Sequence, residues 1–523
     1  MRLFATRSAC REFVKAGRIH TLAMRSGEPP VMHSAEEFTA EELHGGDPLR
    51  TSPLRKASLP MPNKQLTTIN PLTEEVLATY SYMSDGEAAA TVKASHDAFL
   101  QWRLRSLDER ANVIADIAKA LRARKEEFAQ LMTDEVGKLI EDSRTEVELC
   151  ASICDYTAKQ GPVALADEER DVEGATGIVT HAPIGVVYGI QPWNFPAYQA
   201  IRYSIASLMA GNGVLLKHAE SCTGSGLLLR DIYESAGLPK GLFGVLLITH
   251  DQSNDIVEND LVRAVTLTGS EAAGRTVAAK AGAALKKTVL ELGSNDAYLV
   301  LDDADLELAV ATCVKGRLFN NGQTCVNAKR FIVTKKNYEA FVSAYAEAFE
   351  AIRMGDPNAD NTQLGPMVSK AQRDKLHEQV TKSVSQGSRL VVGGEVPDRT
   401  GWFYPATVLA DVAPGQVAYE DELFGPAAAI IRAEDDEDAM RIANDSRYGL
   451  GGGIFSRDVQ RARELATKYF DTGMIFINTF DVASPTLPFG GVKASGYGRE
   501  HGPEGLKEFV NVKSIKIAAT ASA

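Results

Sequence analysis

The chain has 523 residues, of which 44% are hydrophobic and 24% are charged, a composition that excludes a collagen-like or wholly disordered protein. The 56 Lys and Arg against 69 Asp and Glu give a formal net charge of −13, which argues against a nucleic-acid partner because phosphate backbones bind basic surfaces. No apolar run approaches the roughly 18 residues needed to span a bilayer, so membrane insertion is not expected. The scattered cysteines include no Cys-x-x-Cys, so neither a disulfide framework nor a metal site is predicted.

The first sixty residues differ in composition from the rest of the chain. Before Glu28 the single acidic residue is Glu12, against six Lys and Arg, and apolar side chains are interspersed. A basic, acid-poor and roughly amphipathic segment is typical of an organellar transit peptide. We therefore expect residues 1–60 to be an extension with a loose linker, and the protein to reside in the mitochondrial matrix. The alternative is a disordered tail on a cytoplasmic protein.

Helical and strand patterns alternate after residue 106. Ser106 and Glu109 form a capping box in front of one helix, and Gly237 with Pro239 predicts the end of another. Short strands are predicted at 185–188, 214–216, 245–248, 264–267 and 297–301. Strand–helix–strand units of this length imply an α/β fold with parallel sheets that helices cover on both faces. Such sheets bind ligands beyond the carboxyl ends of their strands.

A Gly-Ser turn follows the strand at 264–267. Gly269, Ser270 and Gly274 allow a tight turn and a close approach at a helix N-terminus, where exposed amides favour anions. The alternative is a turn that only begins a helix. No Gly-x-Gly-x-x-Gly follows a strand in this sequence.

An asparagine lies between two prolines directly after the strand at 185–188. Pro192 and Pro196 restrict the backbone around Asn194. An amide held this rigidly is suited to donating hydrogen bonds to a developing oxyanion. The alternative is a rigid turn in which Asn194 caps a helix.

A carboxylate follows an apolar run at Glu291. Val289 and Leu290 precede it, so burial would remove water from the carboxyl and make it less acidic, as a general base requires. The alternative is a glutamate at a strand end that points to solvent.

Cys325 differs from the other cysteines in its surroundings. It ends the polar, glycine-containing segment that begins at Phe319. A thiolate there would be a strong nucleophile toward a carbonyl carbon. Four further cysteines are interpreted as small buried hydrophobic residues, namely Cys150, Cys154, Cys222 and Cys313.

Five motifs in this order resemble those of the aldehyde dehydrogenase superfamily. They are Pro-Trp-Asn-Phe-Pro at 192–196, Glu-Leu-Gly at 291–293, Asn-x-Gly-Gln-x-Cys at 320–325, Glu-Leu-Phe-Gly-Pro at 422–426 and Pro-Phe-Gly-Gly at 488–491. The resemblance runs from about residue 65 to about residue 517. It implies a Rossmann-like NAD-binding domain, a catalytic domain and oligomerisation strands in a homodimer or homotetramer. The implied bounds are 61–165 and 184–293 for the first, 294–504 for the second, and 166–183 and 505–518 for the strands.

The same resemblance assigns roles to the chemical residues. Cys325 would attack the aldehyde, Asn194 and the Cys325 amide would hold the oxyanion, and Glu291 would activate the water that hydrolyses the thioester. NAD is the implied cofactor, with NADP less favoured because Glu220 would meet a 2′-phosphate as a like charge. The implied cofactor contacts are Trp193, Lys217, Glu220, Gly269, Ser270, Gly274, Leu292, Glu422 and Phe424.

Substrate selection depends on fewer residues. Arg202 and Ser484 match positions at which succinate-semialdehyde dehydrogenases hold the substrate carboxylate, and Phe489 is expected in the aldehyde tunnel. Those enzymes often carry a second Arg six residues before the cysteine, where this chain has Phe319. The resemblance favours succinate semialdehyde or a similar short ω-carboxy aldehyde. The alternatives are neutral aliphatic or aromatic aldehydes, with Arg202 in a surface salt bridge, and a structural protein that has lost catalysis.

Overall fold

The structure is a computed structural model and describes residues 65–518. The 1–60 extension, with its expected transit peptide and linker, lies outside the described residues. Within the range that is described, no helix is both long and apolar enough to cross a membrane.

Strands and helices alternate along this range. The strands are β1 (Gln65–Ile69), β2 (Val76–Ser81), β3 (Glu168–Val172), β4 (Ala175–Pro183), β5 (Val186–Gln191), β6 (Gly213–His218), β7 (Phe243–Val245), β8 (Val262–Thr268), β9 (Lys287–Glu291), β10 (Ala297–Val300), β11 (Arg330–Thr334), β12 (Arg389–Val392), β13 (Thr407–Ala410), β14 (Ala427–Ala433), β15 (Tyr448–Gly449), β16 (Gly452–Phe455), β17 (Phe476–Ile477), β18 (Val492–Lys493), β19 (Gly496–Tyr497) and β20 (Val510–Ala518). The helices are α1 (Asp85–Trp102), α2 (Leu107–Ala123), α3 (Lys125–Val136), α4 (Ile140–Ala164), α5 (Tyr198–Met209), α6 (Thr223–Ser235), α7 (His250–Glu258), α8 (Glu271–Ala283), α9 (Leu306–Leu318), α10 (Tyr338–Glu350), α11 (Lys370–Ser385), α12 (Val417–Glu420), α13 (Asp436–Asn444), α14 (Val459–Lys468) and α15 (Gly502–Leu506). The capping box predicted at Ser106 and Glu109 begins α2. The strand predicted at 245–248 lies instead at Phe243–Val245, as β7, and is shorter by one residue.

One six-stranded sheet has the strand order β19-β9-β8-β5-β6-β7. The strands from β9 to β7 are parallel, and β19 pairs antiparallel with β9. The chain runs outward from β5 through β6 and β7, and then returns to β8 on the other side of β5. This reversal between β5 and β8 is a topological switch point, where sheets of this kind bind ligands beyond the strand ends.

A second, seven-stranded sheet has the order β12-β13-β14-β11-β10-β16-β17. Its strands are parallel except for β12, which pairs antiparallel with β13 at one edge. A separate antiparallel sheet contains β20, β4 and β3. It lies in the segments expected to be oligomerisation strands, although residues 505–506 there complete α15 instead.

A short part of the expected catalytic segment 294–504 belongs to the six-stranded sheet. Gly496 and Tyr497 form β19 and pair with Glu291 and Leu290 in β9. Gly496 has a φ of 110° and approaches the Leu290 backbone so closely that a Cβ would overlap it. Glycine therefore permits this pairing, and a two-residue strand leaves too weak a pattern to be predicted.

Successive residues of the central strands face opposite apolar cores. In β5, Val187 packs in one cluster and Tyr188 in another. In β10, Leu299 and Val300 are divided in the same way. This alternation follows from the two-residue period of a strand with both faces buried. The packed cores fix the strand ends and the turns that follow them.

Candidate active site

Three of the predicted motifs meet at the switch point. The Pro192–Pro196 segment follows β5, the Gly269-Ser270 turn follows β8, and Glu291 ends β9. Thr268 and Glu291 are register partners, and the amide of Gly269 donates to the Glu291 carbonyl at 2.9 Å. The sheet therefore brings together groups that are far apart in sequence.

A cavity of about 660 Å³ opens at this point and extends to α11 and to the segment that precedes β14. Among its lining residues are the predicted Trp193, Asn194, Gly269, Ser270, Leu292, Cys325, Glu422 and Phe424. Residues that were not predicted also line it, including Thr268, Glu271, Arg275, Lys375, Asp421, Arg447 and Tyr448.

A strained loop presents Cys325. Asn320 and Asn321 are buried with φ values of 53° and 54°, in the left-handed region that costs energy for residues other than glycine. The Asn321 amide offsets this cost by donating to the carbonyls of Gly137 (2.8 Å) and Pro366 (3.1 Å). Gly322, with a φ of 73°, packs so closely against Gly425 that a Cβ there would overlap its backbone. The Glu-Leu-Phe-Gly-Pro motif thus supports the cysteine loop.

The Asn194 amide faces this loop. Its Nδ2 donates to the Gln323 carbonyl at 3.2 Å, and its backbone carbonyl accepts from Asn320 Nδ2 at 2.7 Å. The Asn194 side chain is therefore fixed beside the cysteine and lines the same cavity. An amide in this place can donate to an oxygen on a carbon bound to Cys325.

The Cys325 thiol is half-buried at the cavity wall. Burial raises its pKa to about 12, while the nearby Arg202 guanidinium and Lys329 ammonium act to lower the pKa. The two cations therefore favour the thiolate against the effect of desolvation.

Glu291 is buried, with 2% of its surface exposed. Neither carboxyl oxygen has a hydrogen-bond partner among the described residues. Burial raises the pKa of Glu291 well above its ordinary value, the Arg202 charge lowers it, and the neighbouring Glu500 raises it again. Gly490 makes room for this carboxyl, since a Cβ there would lie 2.9 Å from Oε1. The solvent-facing alternative for Glu291 does not apply.

The turn after β8 begins α8. Ser270 is its N-cap, and the Ser270 side chain accepts from the Ala273 amide at 3.3 Å. Gly269 and Ser270 line the cavity at this helix N-terminus, which favours an anion such as a pyrophosphate. Gly274 differs from expectation, because it lies inside α8 and gives space to Leu292, whose Cδ1 would be 2.6 Å from a Cβ. Its contribution is therefore to packing.

The opposite wall contains the residues expected beside a nicotinamide riboside. The Trp193 and Phe424 rings meet edge to face with centroids 5.6 Å apart. Glu422 pairs with the buried Lys329 at 3.2 Å, and Gly293 leaves space for Glu422, since a Cβ there would lie 2.8 Å from Oε2. A carboxylate held in this way can accept hydrogen bonds from ribose hydroxyls, so the residues present fit a nicotinamide dinucleotide.

Lys217 and Glu220 lie at the carboxyl end of β6, beyond the residues that line the cavity. Lys217 is buried, which lowers its pKa, while Glu220 acts in the opposite direction. The Tyr82 hydroxyl donates to Glu220, and burial together with that bond raises the pKa of Tyr82 to about 12. Glu220 is thus ordered at the edge where an adenine ribose is expected.

His218 fastens the Asn194 segment to β6. Its Nε2–H donates to the Pro196 carbonyl at 2.8 Å, and its Nδ1 accepts from the Ala219 amide at 2.9 Å. Burial lowers the pKa of His218 to about 4, so the ring is neutral at physiological pH.

Arg202 is a buried residue of α5. Its guanidinium is already paired with another side chain, so it is not a free receptor for a substrate carboxylate. It forms an ion pair with Glu500, and its Nη2 donates to Thr268 Oγ1 at 2.9 Å. The guanidinium lies 4.5 Å from the Phe489 ring centroid and 5.1 Å from that of Tyr198. The predicted salt-bridge alternative is thus present in a buried form.

Ser484 is half-exposed, and its hydroxyl lies 2.9 Å from the Thr486 hydroxyl. No contact joins it to Arg202 among the described residues, although the adjacent Pro485 and Arg202 line one small cavity. Phe319 stacks on Phe195 with centroids 6.1 Å apart, so an aromatic pair occupies the place of the second arginine.

Two residues of the site, Lys329 and Glu500, could not be identified from the sequence. Lys329 donates to the Cys325 carbonyl and to Ser294 Oγ (2.8 Å), and so links the cysteine loop to Glu422. Glu500 ends the glycine-rich segment at 488–500. Only the structure shows that it pairs with Arg202. Arg317, near the cysteine, instead donates to the carbonyls of Ala328 and Gly322.

Comparisons with known proteins identify the family of this chain. Residues 60–515 match the aldehyde dehydrogenase family. The chain is 42% identical over 454 residues to succinate semialdehyde dehydrogenase [NAD(P)+] Sad of Escherichia coli K12, covering 87% of this chain and 98% of that protein. It is 41% identical over 459 residues to succinate-semialdehyde dehydrogenase [NADP(+)] of Deinococcus radiodurans, covering 88% and 96%.

A solved structure shows the same fold. The succinic semialdehyde dehydrogenase from Streptococcus pyogenes, in complex with NADP+, matches with a TM-score of 0.85 and 37% identity. The match covers 87% of this chain and 100% of that one. The predicted α/β class is confirmed, and the chain belongs to the aldehyde dehydrogenase family.

Proposed function

We propose that this protein oxidises a short aldehyde with a distal carboxylate, with succinate semialdehyde as the substrate and a nicotinamide dinucleotide as the oxidant. The observation that carries the carboxylate is the buried Arg202 guanidinium, whose charge acts on both Cys325 and Glu291. Its Nη1 has no hydrogen-bond partner among the described residues. A buried cation with a free donor beside the thiol suits a substrate whose far end is anionic. The relatives named for succinate semialdehyde support the same substrate.

The residues of the chain account for each change at the aldehyde. The Cys325 thiolate adds to the carbonyl carbon, and Asn194 Nδ2 with the Cys325 amide donates to the resulting oxyanion. A bound oxidised nicotinamide supplies the hydride acceptor, which leaves a thioester on Cys325. Glu291 then removes a proton from water as the water attacks the thioester. The carboxylic acid leaves, and the thiolate of Cys325 is restored.

Arg202→Leu is expected to lower kcat/KM for succinate semialdehyde by at least ~10²-fold, because loss of one partner of a buried charge pair costs ~2–5 kcal/mol. NADH absorbance at saturating cofactor measures the effect. Butanal, which has the same length without the carboxylate, serves as the matched substrate. Equal losses on the two aldehydes would show that Arg202 only supports the fold, and the carboxylate assignment would be lost.

A second candidate is the oxidation of neutral aldehydes. It is favoured by the Arg202–Glu500 ion pair, which neutralises the guanidinium within the protein. Comparison of kcat/KM for succinate semialdehyde and butanal in the unaltered protein distinguishes the two candidates. The carboxylated substrate is expected to be preferred by ~10²-fold or more.

We propose NAD as the preferred dinucleotide, although the named relatives use NADP or both cofactors. Glu220 is ordered by Tyr82 at the expected adenine-ribose edge, where a 2′-phosphate would be repelled. Glu220→Gln is therefore expected to raise the kcat/KM ratio of NADP to NAD by ~10-fold, about 1.4 kcal/mol. Cofactor titrations at saturating aldehyde measure that ratio. An unaltered protein that prefers NADP would contradict the assignment, as would an unchanged ratio in the variant.

We propose a homodimer or homotetramer in the mitochondrial matrix. β20 is an edge strand of the three-stranded sheet, and Val512, Ile515 and Ile517 are exposed on it. An open edge with apolar side chains favours pairing with another chain. The basic, acid-poor composition of residues 1–27 supports the location.

A further inference from the structure

Three buried charges lie together behind the cysteine. They are the Arg202 guanidinium and the carboxyls of Glu500 and Glu291, with 2%, 4% and 2% of each residue exposed. Arg202 is in electrostatic contact with both carboxyls. A substrate carboxylate that binds Arg202 would be the third carboxyl group around this one cation. The charge balance of the site must therefore change when such a substrate binds.

Arg202 has three distinct nitrogen positions, and two of them are engaged. Its Nε contacts Glu500, and its Nη2 donates to Thr268 Oγ1. Its Nη1 has no hydrogen-bond partner among the described residues. A water-sized cavity lies beside the guanidinium, lined in part by Pro485 and His501. The unpartnered Nη1 is the donor that a substrate carboxylate would use, and such a carboxylate would approach a guanidinium that Glu500 already neutralises.

Glu500 is fixed from its backbone. Its amide donates to the Phe489 carbonyl at 2.8 Å, and its carbonyl accepts from the Phe489 amide. Apart from the contact with Arg202, its carboxyl oxygens have no hydrogen-bond partner among the described residues. The side chain is thus held by a single strong interaction, and that interaction is the one a substrate carboxylate would share.

We propose that Glu500 determines specificity as the exchangeable counter-ion of Arg202. In the free enzyme it neutralises the guanidinium, and it takes up one proton from solvent when a carboxylated aldehyde binds. This inference depends on the proposed carboxylated substrate. The proton comes from water or buffer and returns there when the product leaves, so no further reactant is required.

The physical reason is the cost of an unpaired buried charge. Two carboxylates on one guanidinium leave a net negative charge in a region without water, and protonation of one carboxyl removes it. Burial and the Glu508 carboxylate raise the pKa of Glu500, whereas Arg202 lowers it. Sharing Arg202 with a substrate therefore raises the pKa of Glu500 further. Protonation at Glu500 also leaves Glu291 free to act as the base.

The tyrosines, the histidine and the second arginine around Glu500 do not take up this proton. Tyr198 and Tyr203 on α5 are neutral, because burial raises the pKa of each phenol. Burial and Arg202 lower the pKa of His501 to about 3, so its ring stays neutral at physiological pH. Arg499 is a cation that faces Glu291. Glu508 pairs with Lys287 at 2.9 Å.

The pH dependence has a defined sign. Between the pKa of Glu500 in the free enzyme and its higher pKa in the complex, binding of the carboxylated substrate weakens by up to ~10-fold per pH unit as the pH rises. A neutral aldehyde brings no charge to Arg202, so its KM lacks the pH dependence that arises from protonation of Glu500. The ratio of the two KM values removes titrations that affect both substrates alike, and Glu500→Gln separates Glu500 from Glu291, which also interacts with Arg202.

The test measures KM for succinate semialdehyde and for butanal from about pH 6 to about pH 9 at saturating NAD. In the unaltered protein the ratio of the first KM to the second is expected to rise with pH, by up to ~10-fold per unit. In Glu500→Gln the ratio is expected to be independent of pH. Glu508→Gln is the matched control, since loss of its charge lowers the pKa of Glu500 and shifts the rise to lower pH without removing it. A flat ratio in the unaltered protein, or an unchanged slope in Glu500→Gln, would overturn the proposal.

A second measurement needs no variant. Calorimetric titration of the NAD complex with 4-hydroxybutanoate, in buffers of different ionisation enthalpy, is expected to show net uptake of up to about one proton per site, and butan-1-ol none. Equal proton uptake by both probes, or none by the acid, would contradict the role of Glu500. If the carboxylated aldehyde is preferred but no proton is taken up, only this inference fails. If the two aldehydes are used equally at every pH, the proposed substrate itself fails.

Discussion

Cys325→Ala is expected to reduce aldehyde oxidation by at least ~10⁴-fold, to a trace, because the variant has no nucleophile to form the thioester. Binding of NAD is expected to remain nearly unchanged, since the expected dinucleotide contacts are made by other residues of the cavity. NADH absorbance measures turnover, and the fluorescence change on titration with NAD measures binding. Loss of both properties together would indicate damage to the fold rather than loss of the thiol.

Cys313→Ala is the matched control for this variant. Cys313 is buried in the core of the seven-stranded sheet, away from the cavity. Its removal is expected to cost some stability through a small cavity, with turnover retained. If Cys325→Ala keeps more than a trace of activity, Cys325 is not the nucleophile.

The general fold could be predicted from sequence because its signals are local. The strands at 185–188 and 264–267 appear as short apolar runs, and the turns after them are marked by proline and glycine. Parallel pairing then brings the carboxyl ends of neighbouring strands to one edge. The meeting of Asn194, the Gly269 turn and Glu291 follows from that rule alone.

The interactions of Arg202 could not be predicted in the same way. The sequence showed an arginine on a helix that faces the expected tunnel, but its pairing with Glu500 depends on the return of the chain after β19. The same is true of Lys329, whose links to Ser294 and Glu422 join three separate segments. Long side chains such as these can reach several neighbours, and only tertiary packing selects one.

Gly274 was assigned to the wrong kind of contact for a different reason. The motif placed it in the anion-binding turn, whereas in the structure it lies one turn into α8 and accommodates Leu292. Glycine in a sequence indicates a close approach but does not say which group approaches. The distinction between a bound ligand and a packed side chain requires the coordinates of both.

Glu291→Gln is expected to separate the two halves of the reaction. Hydride transfer needs no base once the Cys325 thiolate has added, so a burst of about one NADH per active site should remain, while steady-state turnover falls by ~10²–10⁴-fold. Stopped-flow absorbance measures both phases.

The pH profile of the same variant provides a further check on Glu291. Because burial raises the pKa of this carboxyl, its ionised and active form increases as the pH rises through that higher value. Steady-state turnover of the unaltered protein should therefore rise with pH at a point well above the ordinary pKa of a glutamate, and Glu291→Gln should lose this rise. The glutamine is nearly the same size as the carboxyl it replaces, so packing against Gly490 is retained and a general loss of structure does not explain the result. A variant without a burst, or one with undiminished turnover and the original pH profile, would show that another group activates the hydrolytic water.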